Sequence, residues 1–231
     1  MKVKAVLFDL DDTLYSSTDV AQRARTAAVQ AMIDRGLNVD IKTAYLRYMD
    51  IVNEYGSNYE HHLERLLERL NHKVDFKLVA AGVIAYNNTK IAYLTNRPYN
   101  DVIPTILSLK KQNIALAVVT SGLALKQWDK LLRLGLVDLF DHVATSEEVG
   151  VDKPKVGVFY DVLRELKVSH SDTIFVGDSE NDIKGAKDAN LKVIRLKKGK
   201  YATKEFSVAA DYDIQTISEI LPLIKKLEQT P

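Results

Sequence analysis

The chain has 231 residues, 46% hydrophobic and 27% charged, with a formal net charge of +1 at pH 7, the profile of an ordinary globular protein of one large or two modest domains. A charge so close to balance argues against a nucleic-acid binder driven by bulk electrostatics, and the absence of cysteine excludes disulfides, thiolate metal sites and thiol catalysis. The apolar run Ala5–Phe8 is stopped by Asp9 and is too short for a secretion signal, and no window approaches the roughly 20 apolar residues of a membrane helix. The expectation is a cytoplasmic protein with neither a membrane nor a nucleic acid as partner.

The first strand is predicted over Val3–Leu10 and runs into Asp9 and Asp11. Strand residues two apart share a face, so these carboxylates can divide a transfer reaction, one attacking phosphorus and the other handling a proton. Taken alone, the pair fits a polar strand end equally well. Asp12 reads as structural, and Thr13 as a residue bonding locally to hold the loop. From Thr18 the pattern turns helical: Val20–Arg35, capped by Asp19 and stopped by Gly36, then roughly Ile41–Tyr55, Tyr59–Leu70 and Phe76–Leu94, with breaks at Gly56 and Asn71. Residues 16–94 thus read as an all-helical block. His61 and His62 fall on its surface, and the five histidines of the chain show no metal-ligand spacing.

A boundary at Thr95–Pro98 precedes regular alternation. Helix Val102–Lys111, strand Ile114–Thr120 and helix Leu123–Leu134 lead to a short strand near His142–Thr145. Helix Val156–Leu166, strand Thr173–Val176, helix Asp182–Ala189, strand Lys192–Leu196, a last strand over Asp211–Ile214 and helix Ile217–Leu227 complete it. The fold class is therefore α/β, a doubly wound parallel sheet built from residues 1–15 and 95–231, with residues 16–94 inserted. Ligands of open α/β sheets bind beyond the carboxyl ends of the strands, and Asp9, Thr120 and Asp178 all lie at such ends.

Thr120, Ser121 and Gly122 offer a hydroxyl and successive backbone N–H groups where a helix begins, a seat for phosphate, with glycine letting the backbone approach a ligand. Alone, they would equally be a helix cap. Lys153, before Pro154 at a helix start, is a point charge for phosphate or a solvated lysine. Asp178 and Asp182 follow a strand through Gly177. Mg²⁺ takes oxygen ligands, typically one or two carboxylates with waters and substrate phosphate, and Asp9, Asp178 and a backbone carbonyl near Asp11 meet that demand, with Asp182 as outer ligand or support. The loop carrying Lys197, Lys198, Lys200 and Lys204 reads as a solvated turn, and Trp128 and the tyrosines as packing residues.

In this order, Asp9-Leu10-Asp11-Asp12-Thr13, Thr120, Lys153 before Pro154, and Gly177–Asp182 resemble the haloacid dehalogenase-like (HAD) hydrolase superfamily over nearly the whole chain. The helical insert is similar to the C1-type cap of subfamily I, on a Rossmann-like core. The resemblance implies a Mg²⁺-dependent phosphatase: Asp9 forms an aspartyl-phosphate, Asp11 acts as acid and then base, Thr120 and Lys153 hold the phosphoryl oxygens, and Asp9, Asp11 through its carbonyl, Asp178 and Asp182 organise the metal. It also implies a cap that closes over the site and selects a small phosphorylated metabolite, of which glyceraldehyde 3-phosphate is one. A dehalogenase on this fold uses the first Asp without metal, and Asp11 and Asp178 argue against it. A non-catalytic binding protein would have no need of the full set of carboxylates.

Overall fold

The computed structural model describes residues 2–229, and they divide into two compact units. The first takes the chain up to Thr18 and from Thr95 onward; the second is Asp19–Leu94.

The first unit is built on six parallel strands: β1 (Ala5–Phe8), β2 (Ala115–Thr120), β3 (His142–Thr145), β4 (Thr173–Gly177), β5 (Lys192–Leu196) and β6 (Tyr212–Ile214). They lie in the order β3-β2-β1-β4-β5-β6. Buried parallel strands need apolar side chains on both faces, and every residue of β1 is fully buried. Leu7, Ala117, Val119, Phe175 and Val193 face one way, into a core completed by Val158, Phe159 and Ile183.

The chain winds outward from β1 through β2 to β3, then returns to β4 on the other side of β1 and winds outward again. Phe8 is consequently paired with both Val118 and Val176, and the Asp9 N–H extends the ladder to the Val176 carbonyl at 2.8 Å. This reversal is the switch point at which open α/β sheets leave a crevice beyond the strand ends. The ends of β1, β2 and β4 therefore meet there for topological reasons.

The helices of this unit are α5 (Val102–Lys111), α6 (Ala124–Leu134), α7 (Ser146–Val149), α8 (Gly157–Leu166), α9 (Glu180–Asp188) and α10 (Ile220–Gln229). The four-residue α7 has no counterpart in the sequence reading, because one turn carries no periodicity. Its N-cap, Thr145, accepts a bond from the Glu148 N–H.

The second unit holds most of α1 (Ser17–Asp34), with α2 (Ile41–Tyr55), α3 (His62–Arg69) and α4 (Phe76–Leu94). Ala28, Val29, Met32, Ala44, Ile51 and Leu66 anchor its core. Two expectations are corrected here. Asp19 does not cap α1, which begins at Ser17; it lies in the first turn and pairs with Arg23 at 2.8 Å. The Thr18 N–H instead donates to Asp12 Oδ1 at 2.9 Å. His62 is not on the surface: it is buried, its Nε2 lies 2.9 Å from the Gly56 carbonyl and its ring meets Tyr48 edge-on. Among the described residues no helix is long and apolar enough to cross a membrane.

Candidate active site

Asp9 follows β1 directly, and its carboxylate is almost wholly buried. Lys153 arrives from the turn before α8, also buried, and its Nζ donates to Asp9 Oδ1 at 2.5 Å, Asp182 Oδ1 at 2.6 Å and the Val119 carbonyl at 3.1 Å. The expected placement of Lys153 at a helix start is thus corrected: α8 begins four residues later, at Gly157. Asp182 stands in the first turn of α9, where its Oδ2 accepts from the Ser179 N–H and hydroxyl and closes a capping box. A Cβ on Gly177 would lie 2.7 Å from the Asp182 Cβ, so glycine is needed there for Asp182 to reach the strand ends.

Asp178 completes the cluster. Carboxylate oxygens of Asp9, Asp178 and Asp182 lie within 4.8 Å of one another. Among the described residues no hydrogen bond reaches the Asp178 carboxylate. Burial, with Asp9 and Asp182 nearby, pushes its pKa up to about 9. Burial and the charge of Asp182 push Asp9 up to about 7, against the pull of Lys153. Burial pulls Lys153 down, but Asp182 and Asp9 outweigh it and hold the ammonium charged, above its ordinary range. Three buried carboxylates and one lysine leave negative charge in excess. An all-oxygen donor set with that excess suits a hard divalent cation such as Mg²⁺.

Asp11 meets different surroundings. Its side chain is 35% exposed. Tyr15 donates its hydroxyl to Oδ1, and Lys130 Nζ donates to Oδ2 at 2.6 Å. Burial and the Asp11 charge push the Tyr15 phenol well above its usual pKa, so it remains a donor. Asp12 adopts a left-handed conformation (φ 60°) that asparagine and aspartate tolerate. The local bond expected of Thr13 is not made: its buried Oγ1 has no partner among the described residues.

Thr120 ends β2, buried, and its hydroxyl donates to Gln127 Oε1 at 3.2 Å. Gln127 Nε2 donates to the Ser121 carbonyl at 3.0 Å. At Gly122 the structure departs from the open phosphate cradle read from sequence. The Gly122 N–H donates to Ser146 Oγ at 2.8 Å, and a Cβ there would lie 2.6 Å from Gln127 Nε2. With φ at 122°, this glycine makes room for a neighbouring side chain.

Tyr15, Gln127, Lys130 and the α7 residues Ser146 and Glu147 were missed in the sequence. Glu147 braces the same loop by accepting from the Ala124 N–H at 2.7 Å. Gln127 and Lys130 did leave a signal, being three apart and hence on one face in the first turns after the Thr120 loop. The Lys197–Lys204 loop is more than a solvated turn: Lys198 Nζ stands 3.8 Å from the centre of the Tyr99 ring, and Arg195 donates to the carbonyls of Tyr201 and Lys204. Trp128 is half-buried and donates to Glu148.

The expected strand Val3–Leu10 is shorter in the structure, ending at Phe8, so Asp9 and Asp11 stand in the loop just beyond it and not on one strand face. Two carboxylates beyond one strand end, a buried lysine and an acidic triad at a sheet's switch point define a hydrolase of a particular kind. The chain belongs to the haloacid dehalogenase-like hydrolase family, whose sequence model matches residues 3–190. It is 43% identical to the glyceraldehyde 3-phosphate phosphatase of Methanopyrus kandleri, over 97% of this chain and 98% of that protein. It is 41% identical to the protein of that name from Methanocaldococcus jannaschii, over 98% and 99%. Among solved structures it resembles the HAD phosphatase from Thermococcus onnurineus, with 25% identity and a TM-score of 0.67 over 97% of this chain and 98% of that one.

Proposed function

We propose that this chain is a cytoplasmic, Mg²⁺-dependent phosphatase that hydrolyses a small phosphate monoester, glyceraldehyde 3-phosphate, through an aspartyl-phosphate on Asp9. The observation that carries this reading is the buried convergence of Asp9, Lys153, Asp178 and Asp182 beside the separately held Asp11. Relatives at 41–43% identity over nearly their full length support the substrate.

In this reading Asp9 Oδ2, which accepts no hydrogen bond among the described residues, attacks phosphorus as the ester P–O bond breaks. The leaving alkoxide takes a proton from Asp11 in its acid form. Water then attacks the phosphorus of the aspartyl-phosphate, Asp11 takes the proton of that water, and the bond to Asp9 breaks to release phosphate. Lys153 holds phosphoryl oxygens, and Thr120, its hydroxyl taken by Gln127 Oε1, sets the loop on which they sit. Asp9, Asp178 and the Asp11 carbonyl would hold the metal, with Asp182 in support. When bound, the metal supplies positive charge against the phosphoryl oxygens. Asp19–Leu94 acts as the substrate-selecting cap, since residues that handle only phosphate cannot distinguish one monoester from another.

The test is a panel of phosphorylated metabolites assayed with Mg²⁺ and with EDTA. The expected result is Mg²⁺-dependent release of phosphate, with glyceraldehyde 3-phosphate ranked first by kcat/KM. Full activity in EDTA would overturn the metal, and a different ranking would overturn the substrate.

A further inference from the structure

Gln127 and Lys130 have no part in the chemistry above, yet they join its two halves. Gln127 is 4% exposed and uses both ends of its carboxamide. Oε1 accepts from Thr120 Oγ1 at 3.2 Å and from Lys130 Nζ at 3.0 Å, while Nε2 donates to the Ser121 carbonyl at 3.0 Å. The partners fix the orientation of the amide, because two donors face one end and a carbonyl faces the other. Lys130 then spends a second N–H on Asp11 Oδ2 at 2.6 Å. The other oxygen of Asp11 is taken by Tyr15, which is buried. Gly122 is shaped to admit this amide, since any Cβ there would strike it.

We infer that Gln127 and Lys130 are positioning residues, a relay on α6 that couples the aim of the acid–base carboxylate Asp11 to the placement of the Thr120–Ser121 phosphate loop. The inference rests on the phosphatase reading and deepens it. The Asp11 side chain is about one-third exposed. Without Lys130 it would be held by Tyr15 at one oxygen only and could swing about that bond. A carboxyl aimed away from the leaving oxygen donates its proton poorly, and proton transfer needs hydrogen-bond reach. Gln127 in turn keeps Lys130 over Asp11 and holds Thr120 and Ser121 in register with it. Neither residue needs to touch substrate.

The discriminating readout is leaving-group dependence. kcat/KM on an alkyl phosphate and on p-nitrophenyl phosphate is compared for wild type, Asp9→Asn, Asp11→Asn, Lys130→Met, Lys130→Arg and Gln127→Leu, each at its own pH optimum. kcat/KM covers only steps through departure of the leaving group, so slow hydrolysis of the aspartyl-phosphate cannot mask the comparison. The alkyl-to-aryl ratio cancels any loss of folded protein.

Lys130→Met is expected to lower that ratio about tenfold, the worth of a hydrogen bond to a charged group. Lys130→Arg, which keeps a cationic donor, is expected to restore much of it. Gln127→Leu is expected to lower the ratio and also to weaken inhibition by inorganic phosphate, because it releases both halves. A Gln127→Leu, Lys130→Met double variant should lose less than the product of the single losses. A wild-type ratio in Lys130→Met, in an enzyme that Asp9→Asn inactivates, overturns the relay alone. Undiminished turnover by Asp9→Asn overturns the aspartyl-phosphate reading of the site, and the relay falls with it.

Discussion

Asp9 and Asp11 leave the same strand two residues apart, yet the protein surrounds them in opposite ways. The Asp9 side chain is 8% exposed and that of Asp11 35%. Asp9 meets a buried lysine and two further carboxylates; Asp11 meets a tyrosine hydroxyl and a lysine that itself leans on a glutamine. One side is short of positive charge and dry, suited to a cation and an in-line attack. The other is wet enough for a proton to come and go. Two identical groups stand in different environments, as the different tasks proposed for them require.

The comparison breaks most visibly at Asp9. Asp9→Asn keeps the shape but loses the proposed nucleophile and one proposed metal oxygen, so turnover should fall on the order of 10⁴-fold or more for every ester. Rapid-quench trapping of radiolabelled phosphate on the protein should label wild type and leave this variant blank. Labelling of Asp9→Asn would move the nucleophile elsewhere. Asp11→Asn should show a loss graded by leaving group, roughly 10²–10⁴-fold for an alkyl phosphate and less for an aryl one. Wild-type rates on both would remove Asp11 from the acid–base role.

How far these surroundings were readable follows from the kind of signal each left. Asp9, Thr120 and Asp178 could be placed together because strand ends of a doubly wound sheet converge by topology, whatever packs around them. The strands from β2 to β5 were legible to within a residue for a related reason, their apolar runs being short and bounded by turns. Contacts made across the fold were not. Asp12 rather than Asp19 meets the start of α1, since capping depends on where a carboxylate lies in space. Gln127 could not be seen as the neighbour of Gly122, nor Tyr15 as the partner of Asp11, because side-chain pairing is settled by packing. His62 was misplaced because a polar ring on an amphipathic helix can be buried once a single carbonyl satisfies it.

Between the two sides, Lys153 should respond more strongly than Lys130. Lys153→Met strips the cluster of the buried cation that bridges Asp9 and Asp182, and breaking a buried pair costs about 3–5 kcal/mol. The expected result is a large fall in kcat/KM that the leaving group does not influence, with a lower melting temperature in EDTA. A loss that follows the leaving group, as expected for Asp11, would erase the distinction between the two lysines.

The smallest effect concerns stability, and it isolates the Asp9 side from catalysis. Asp178 is raised to about 9 and Asp9 to about 7, so without metal the folded protein retains protons that the unfolded chain gives up near pH 4. Their contribution is fully present below that pH and is lost as pH rises through 7 for Asp9 and 9 for Asp178. In EDTA the melting temperature should therefore decline between pH 5 and pH 9. On the proposed reading a divalent cation would bind the ionised carboxylates of the folded state alone, so the rise in melting temperature on adding Mg²⁺ should grow over the same interval. Asp178→Asn removes the group with the largest share of that strain, and the decline in EDTA should become shallower while the Mg²⁺ shift contracts. Asp11→Asn, on the side that is already supplied with donors, should leave both trends close to wild type. A melting temperature in EDTA that is flat from pH 5 to pH 9, or an equal response in the two variants, would show that the two carboxylate environments do not differ in the way their burial and partners require.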